Sequence, residues 1–265
     1  MVSWAGKEGW NPGLHDAECF YNIDPKGFFI GFLDEIPVSC ISAVSYKGKF
    51  GFIGFYITTP KYRGKGYGLQ VWNKAIEHLK NQNIGLDGVV EQQRNYKKSS
   101  FKFAYNNARY LLYSKKFKTT DLTLKPAKEV SFNKLIDYDK KHFFTERSRF
   151  LKYWITQPEC QTLVKIRNNQ IQGFGMIRKC YKGYKIGPLF ADNFIIAESL
   201  LRSLINKVRA NSQVTIDIPE INKDAARLVN KHKMEKVFST ARMYTKKAPK
   251  LPINNIFGIT TYEVG

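Results

Sequence analysis

The stretch KYRGKGYGLQVWNKAIEHL, residues 61–79, places Gly64, Gly66 and Gly68 within five positions, directly ahead of a helical pattern. Leu69, Trp72, Ala75, Ile76 and Leu79 recur at three- and four-residue spacing, which predicts one apolar helix face against a sheet. A helix start leaves about four backbone N–H groups without partners and carries roughly half a unit of positive charge. Both favour an anion, phosphate above all. Glycine lets the backbone approach that anion and adopt dihedrals that a Cβ forbids. Lys61, Arg63 and Lys65 add positive charge. Arg63, Gly64, Lys65, Gly66, Tyr67 and Gly68 therefore read as a diphosphate cradle. It is not a P-loop, because no Ser or Thr follows a Gly-Lys at the required spacing. It is not G-x-G-x-x-G either, since Leu69 stands where the last glycine would fall. Arg63, Gly66 and Gly68 do satisfy R/Q-x-x-G-x-G/A.

Upstream, residues 27–33 and 34–46 are apolar runs joined by LDEIP, an antiparallel hairpin, and FGFIGFYIT, residues 50–58, makes a third strand. Downstream come a short strand in NIGLDGVVEQ (83–92), a short helix around 93–100 and the aromatic run FKFAYNNARYLLY (101–113). Strands followed by a strand–helix–strand unit imply a mixed sheet with helices on its faces. The polar segment 114–130 marks a boundary, which divides the chain into 1–118 and 119–265. The second part predicts helices around 131–141 and 146–156, the second burying Phe150, Leu151 and Trp154. A hairpin over 162–190 turning at RNNQ follows, then a helix at 195–208, a strand at 213–219 and a helix at 222–232. The order of the first part recurs, although no repeat shows in the letters.

The 265 residues carry a net charge of +21. The cations are dispersed, with pairs such as Lys97-Lys98 but no long block, so a solvated lysine-rich surface accounts for most of the charge. Nucleic-acid binding is the weaker reading, as no RNP-like, helix-turn-helix or zinc-finger pattern accompanies it. No run approaches the roughly 20 apolar residues of a membrane span, and the start lacks a secretion signal. Cys19, Cys40, Cys160 and Cys180 are scattered and the four histidines dispersed, so neither a disulfide framework nor a metal site is expected. A reducing cytoplasm is the expected location.

Set after a strand and opening an amphipathic helix, the Arg63-x-x-Gly66-x-Gly68 loop resembles the acetyl-CoA loop of the GNAT superfamily of N-acetyltransferases. Residues 19–113 follow the GNAT order of helix, hairpin, long strand, loop–helix, strand, short helix and strand. Tyr96 and Phe101 have the spacing of a GNAT tyrosine and downstream phenylalanine, with Ser100 where glycine is usual. EGWNPGLHDAE (8–18), GFIGFYI (51–57), NIGLDGVV (83–90) and IFGITTYEVG (256–265) look like parts of tandem GNAT proteins. In the second half the loop position reads IGPLFADN (186–193), and Pro188 and Phe190 offer no row of donors. Asn222, Ala225, Leu228 and Phe238 still resemble the later part of the fold.

The resemblance implies an α/β fold of two GNAT-like domains, each a mostly antiparallel twisted sheet flanked by helices. Only the first would hold cofactor. The strand that usually precedes the first GNAT helix is absent or supplied otherwise. The implied activity is transfer of an acetyl group from acetyl-CoA to a primary amine, on a small molecule or a peptide. Tyr56 and Ile57 would hold the pantetheine arm through backbone groups, and Tyr96 would protonate the leaving thiolate. The long strand offers no carboxylate base. Glu91 is a candidate through water or else a surface carboxylate, and His15, Asp16 and Glu18 border the expected acceptor side. The alternatives are a non-catalytic acyl-CoA-binding module and a basic nucleic-acid binder. The second domain would form either part of the acceptor site or a surface for a homodimer.

Overall fold

The computed structural model describes residues 1–118 and 121–265. The expected boundary falls at Lys118 and Thr119, and Thr119 lies outside the described residues. The chain opens with helices α1 (Val2–Lys7) and α2 (Asp16–Tyr21). Strands β1 (Phe28–Leu33), β2 (Ile36–Tyr46) and β3 (Phe50–Thr58) form a meander. Helix α3 (Tyr67–His78) crosses to β4 (Asn83–Val89), and the short α4 (Gln93–Lys98) leads into β5 (Lys102–Tyr113).

The second half repeats this. After β6 (Leu124–Pro126), α5 (Phe132–Phe143) and α6 (Ser148–Thr156), β7 (Cys160–Arg167), β8 (Gln170–Lys179) and β9 (Tyr184–Ala191) form a second meander. Helix α7 (Phe194–Ile205) crosses to β10 (Gln213–Pro219), and α8 (Lys223–Lys231) leads into β11 (Glu235–Tyr244). A last strand, β12 (Ile256–Gly258), precedes residues 259–265.

The expected elements are present, and the mixed α/β architecture is the one the sequence implied. The expected hairpin over 162–190 is a three-stranded meander. Strands β6, β11 and β12 were not anticipated. Both meanders turn on two residues with positive φ, Asp34 (44°) with Glu35 (66°) and Asn168 (49°) with Asn169 (61°). This backbone matches the twist of the flanking strands. On α3 the buried residues are Val71, Trp72, Ala75 and, just past its end, Leu79, whereas Leu69 is exposed and Ile76 half-buried. The helix rolls Val71 rather than Leu69 onto the sheet, because Leu69 falls on the far side of the stripe drawn through 72, 75 and 79.

One continuous sheet joins the halves, in the order β1-β2-β3-β4-β11-β5-β10-β9-β8-β7-β6. Among the described residues, only β3–β4 and β9–β10 pair parallel. Strand β11 of the second half lies between β4 and β5, and β5 of the first lies between β11 and β10. Each half thus lends one strand to the other. Helix α3 covers one face of the first half, burying Val71, Trp72 and Ala75 against Ile41, Ile53 and Leu86. Helices α7 and α8 cover the corresponding face of the second half. On the opposite face, Phe20, Phe52 and Phe55 pack with Phe150, Trp154 and Met176, an apolar seam across the halves.

Candidate active site

Strands β3 and β4 stay paired only from Phe50↔Asn83 to Ile53↔Leu86 and then part. A parallel pair separates readily here because each strand has another partner, β2 and β11. A bulge helps: Ser42 pairs with Gly54 and Cys40 with Ile57, so Phe55 and Tyr56 together face Ile41, with Phe55 at φ 47°. The gap is a cavity of about 440 Å³, with Gly54–Thr58 on one wall and Asp87–Val89 on the other.

The glycine loop stands at the end of β3. Gly64 and Gly66 take φ of 75° and 86°, which a side chain would strain, and α3 begins at the next residue, Tyr67. Gly68 serves close approach instead, since a Cβ there would lie 2.6 Å from Thr58 Oγ1. Among the described residues, none of the N–H groups of Gly64, Lys65, Gly66, Tyr67 and Gly68 donates a hydrogen bond. No side chain caps the helix. Arg63 lines the cavity and is fixed by donating from Nε to the Thr58 carbonyl at 2.9 Å and from its guanidinium to Glu8. A row of free amides beside a cation fits a diphosphate.

Tyr56, Ile57 and Tyr96 line the same cavity. Tyr96, on α4, stacks on Trp72 with ring centroids 5.6 Å apart and lies against Gly88, where a Cβ would meet its ring at 2.1 Å. Burial, with Tyr56 alongside, pushes the Tyr96 phenol above its ordinary value, so it keeps its proton at neutral pH. Ser100 takes φ 65°, the conformation that explains why glycine is usual there, and turns the chain so that Phe101 packs on Trp72 at 5.8 Å.

The other candidates lie elsewhere. Glu91 is exposed and does not line the cavity. Asp16 is buried and held by Arg178 at 2.8 and 3.1 Å, a contact that ties α2 to β8. His15 faces Glu159 at 3.4 Å, and Glu18 is exposed. None of these three lines the cavity. The four thiols are raised by burial, Cys19 to about 12 and Cys40 to about 11, so none is a thiolate nucleophile at neutral pH.

The sequence left open whether the second half joins the acceptor site, and pointed to none of its residues there. Phe238 and Thr240 of β11, with Tyr262 and Glu263 beyond β12, line the first-half cavity. Asp87, also on the wall, is held by Arg242 of β11 at 2.8 and 2.6 Å and by Asn107 at 2.7 Å. The stretch IFGITTYEVG stood out in the sequence, but no local pattern reveals that it returns to the other half.

The equivalent gap in the second half is filled. Strands β9 and β10 part after Ile186↔Ile216. Strand β12 then pairs with β9 through Ile256↔Phe190 and Gly258↔Leu189, and Ile259 N–H donates to the Asp217 carbonyl at 2.8 Å. The start of α7 is satisfied internally, with Asn193 Oδ1 accepting from Ile196 N–H at 3.1 Å. Here IGPLFADN ends a strand and caps a helix, leaving no anion cradle.

Comparison with known proteins agrees with this geometry. An acetyltransferase (GNAT) family profile matches residues 2–99, and an acetyltransferase (GNAT) domain profile matches residues 135–258. The chain is 32% identical over 263 residues to the holothin acyltransferase of Pseudoalteromonas sp. (strain SANK 73390), covering 99% of this chain and 89% of that one. It is 26% identical over 227 residues to YitH, an uncharacterized N-acetyltransferase of Bacillus subtilis (strain 168), covering 83% and 78%. A solved candidate acetyltransferase from Pyrococcus horikoshii superposes with a TM-score of 0.82 at 28% identity, over 95% of this chain and 84% of that one. A tandem GNAT protein from the clavulanic acid biosynthesis pathway shares the fold, with a TM-score of 0.59 at 9% identity over 90% of each chain. With one open and one filled copy of the same cleft on a shared sheet, the chain belongs to the GNAT acetyltransferase superfamily as a tandem member whose second domain is degenerate.

Proposed function

We propose that the chain transfers an acetyl group from acetyl-CoA to a primary amine, on a small molecule or a peptide, in the cavity of the first half. The reading divides the chain into an acyl-CoA-binding domain, 1–118, and a degenerate partner domain, 119–265. The observation that carries it is the run of five unpartnered N–H groups from Gly64 to Gly68 at an uncapped helix start. Those groups and Arg63 would hold the diphosphate, and the free edge of β3 at Tyr56 and Ile57 would hold the pantetheine arm. When bound, acetyl-CoA supplies an activated acyl carbon and a thiol leaving group. Tyr96 holds a proton at Oη beside that edge and offers it to the leaving sulfur. Trp72 stacks on the Tyr96 ring, and Phe101 backs Trp72 in turn. Among the described residues no cysteine lines the cavity, which supports direct transfer without an acyl-cysteine. A simple acyl-CoA-binding module is the rival reading, and turnover separates the two. Isothermal titration with acetyl-CoA and thiol release over a panel of amines test the proposal. Absence of binding at high-micromolar acetyl-CoA removes it. Binding without release from any amine favours the module.

A further inference from the structure

Three acidic residues are among those lining the cavity: Glu8, Asp87 and Glu263. Glu8 is paired with Arg63, and Asp87 is bound by Arg242 and Asn107. Glu263 has no ion pair and no hydrogen bond to its carboxyl among the described residues. It is 4% exposed. The other buried acids differ. Asp16, Asp139 and Asp217 are each gripped by an arginine, Arg178, Arg147 and Arg109, at 2.8, 2.8 and 2.7 Å. A carboxyl held out of water without a partner is costly. The chain nevertheless fixes its position from both sides. Glu263 N–H donates to Thr261 Oγ1 at 3.2 Å, and the Val264 carbonyl accepts from Tyr46 Oη at 2.7 Å. Arg147 donates to the Gly265 carbonyl at 3.2 Å, and the Glu263 carbonyl lies where a Cβ on Gly54 would be, 2.2 Å away.

We propose that Glu263, delivered to the first-half cavity by the segment that fills the second-half gap, accepts the proton from the attacking nitrogen of the acceptor amine. This rests on the acyl-transfer reading above. The amine lone pair forms the bond to the acyl carbon. The carbon–sulfur bond breaks with its electron pair on sulfur, the nitrogen proton goes to the Glu263 carboxylate and the Tyr96 proton goes to sulfur. Exchange with water then resets both groups. The charged groups facing Glu263 are Lys185 on β9, Arg109 on β5 and Arg178 on β8, which favour its ionised form, and Asp16 on α2, which opposes it. Burial outweighs them and raises its pKa, so the proton it takes is held at a useful strength.

The test is Glu263→Gln in the full chain. Turnover should fall about 10²–10⁴-fold with acetyl-CoA affinity unchanged, and the acid limb of the kcat/KM profile should vanish. Glu263→Ala should regain rate with added formate. Independently of turnover, ¹³C NMR of glutamate-labelled protein should show one carboxyl, absent from Glu263→Gln, titrating above the ordinary glutamate range. That measurement on the parent protein decides the matter should the variants fail to fold. A parent that works while Glu263→Gln keeps its rate within about threefold overturns the role of Glu263 alone. A Glu263 carboxyl already ionised through the ordinary range, as a structural pair with Lys185 would be, also overturns it. A parent that neither binds acetyl-CoA nor releases thiol refutes the acetyltransferase reading and this inference together.

Discussion

In the first half β3 and β4 part after Ile53 and Leu86, and in the second β9 and β10 part after Ile186 and Ile216. Both strands bulge at the split. Phe55 and Tyr56 oppose Ile41 in one, and Gly187 and Pro188 oppose Met176 in the other. Even the glycines correspond: Gly54 abuts the Glu263 backbone, and Gly187 abuts the carbonyls of Thr260 and Ile259. What differs is how the freed polar groups are satisfied. In the second half the chain answers itself, with β12 in the gap and the Asn193 side chain on the helix start. In the first, glycine replaces the cap and the gap stays open. One fold thus leaves either an open cleft beside unpaired donors at an exposed helix start or a self-paired structural element.

The comparison is tested most sharply at Tyr96, which lines the open cleft. Tyr96→Phe should lower kcat by about 10²–10⁴-fold while calorimetry finds acetyl-CoA affinity unchanged. Equal loss of affinity would make Tyr96 a packing residue. Next come the two helix starts. Gly66→Val must strain a φ of 86° and crowd the free amides, so acetyl-CoA binding should weaken about 100-fold by titration. The matching change, Asn193→Ala, removes a cap and should cost about 1 kcal/mol in denaturant unfolding with binding intact. The paired glycines test the crossing segment. Gly54→Ala and Gly187→Ala place a Cβ 2.2 and 2.5 Å from backbone oxygens, so each should destabilise by about 1–3 kcal/mol, with Gly54→Ala also displacing Glu263.

The smallest effect concerns acid sensitivity, which resides in the second half. His142 of α5 stacks on Phe190 at 4.5 Å, donates from Nδ1 to the Tyr138 carbonyl at 2.9 Å, and leaves Nε2 buried without a partner among the described residues. Burial lowers its pKa, against the pull of Asp139 and Asp192 and with the help of Lys141. Below about pH 6.5 the unfolded chain binds a proton that the folded one resists, so stability falls with pH by at most about 1.4 kcal/mol per unit. Unfolding curves of His142→Gln should lack that slope.

Local patterns made most of the elements legible, since helical spacing, strand alternation and turn residues act over a few positions. The glycine turn was equally legible because Arg63 to Gly68 are contiguous, and so was its absence from IGPLFADN. Leu69 misled the reading because spacing alone does not fix how a helix rolls on its sheet. Asp16, placed by sequence near the acceptor side, was claimed by Arg178, a residue far along the chain. No periodicity announces such a pairing.

The sequence by itself determined the two-fold recurrence of strands and helices, the glycine-rich turn that opens α3 and the tyrosine that follows it. Each depends on neighbours in the chain. Only the tertiary structure decided that β5 and β11 change places, that β12 seals one cleft, and that Glu263 enters the other. Those outcomes rest on hydrogen-bond and packing partners tens to hundreds of residues apart, and a strand carries no local mark of which distant edge it will join.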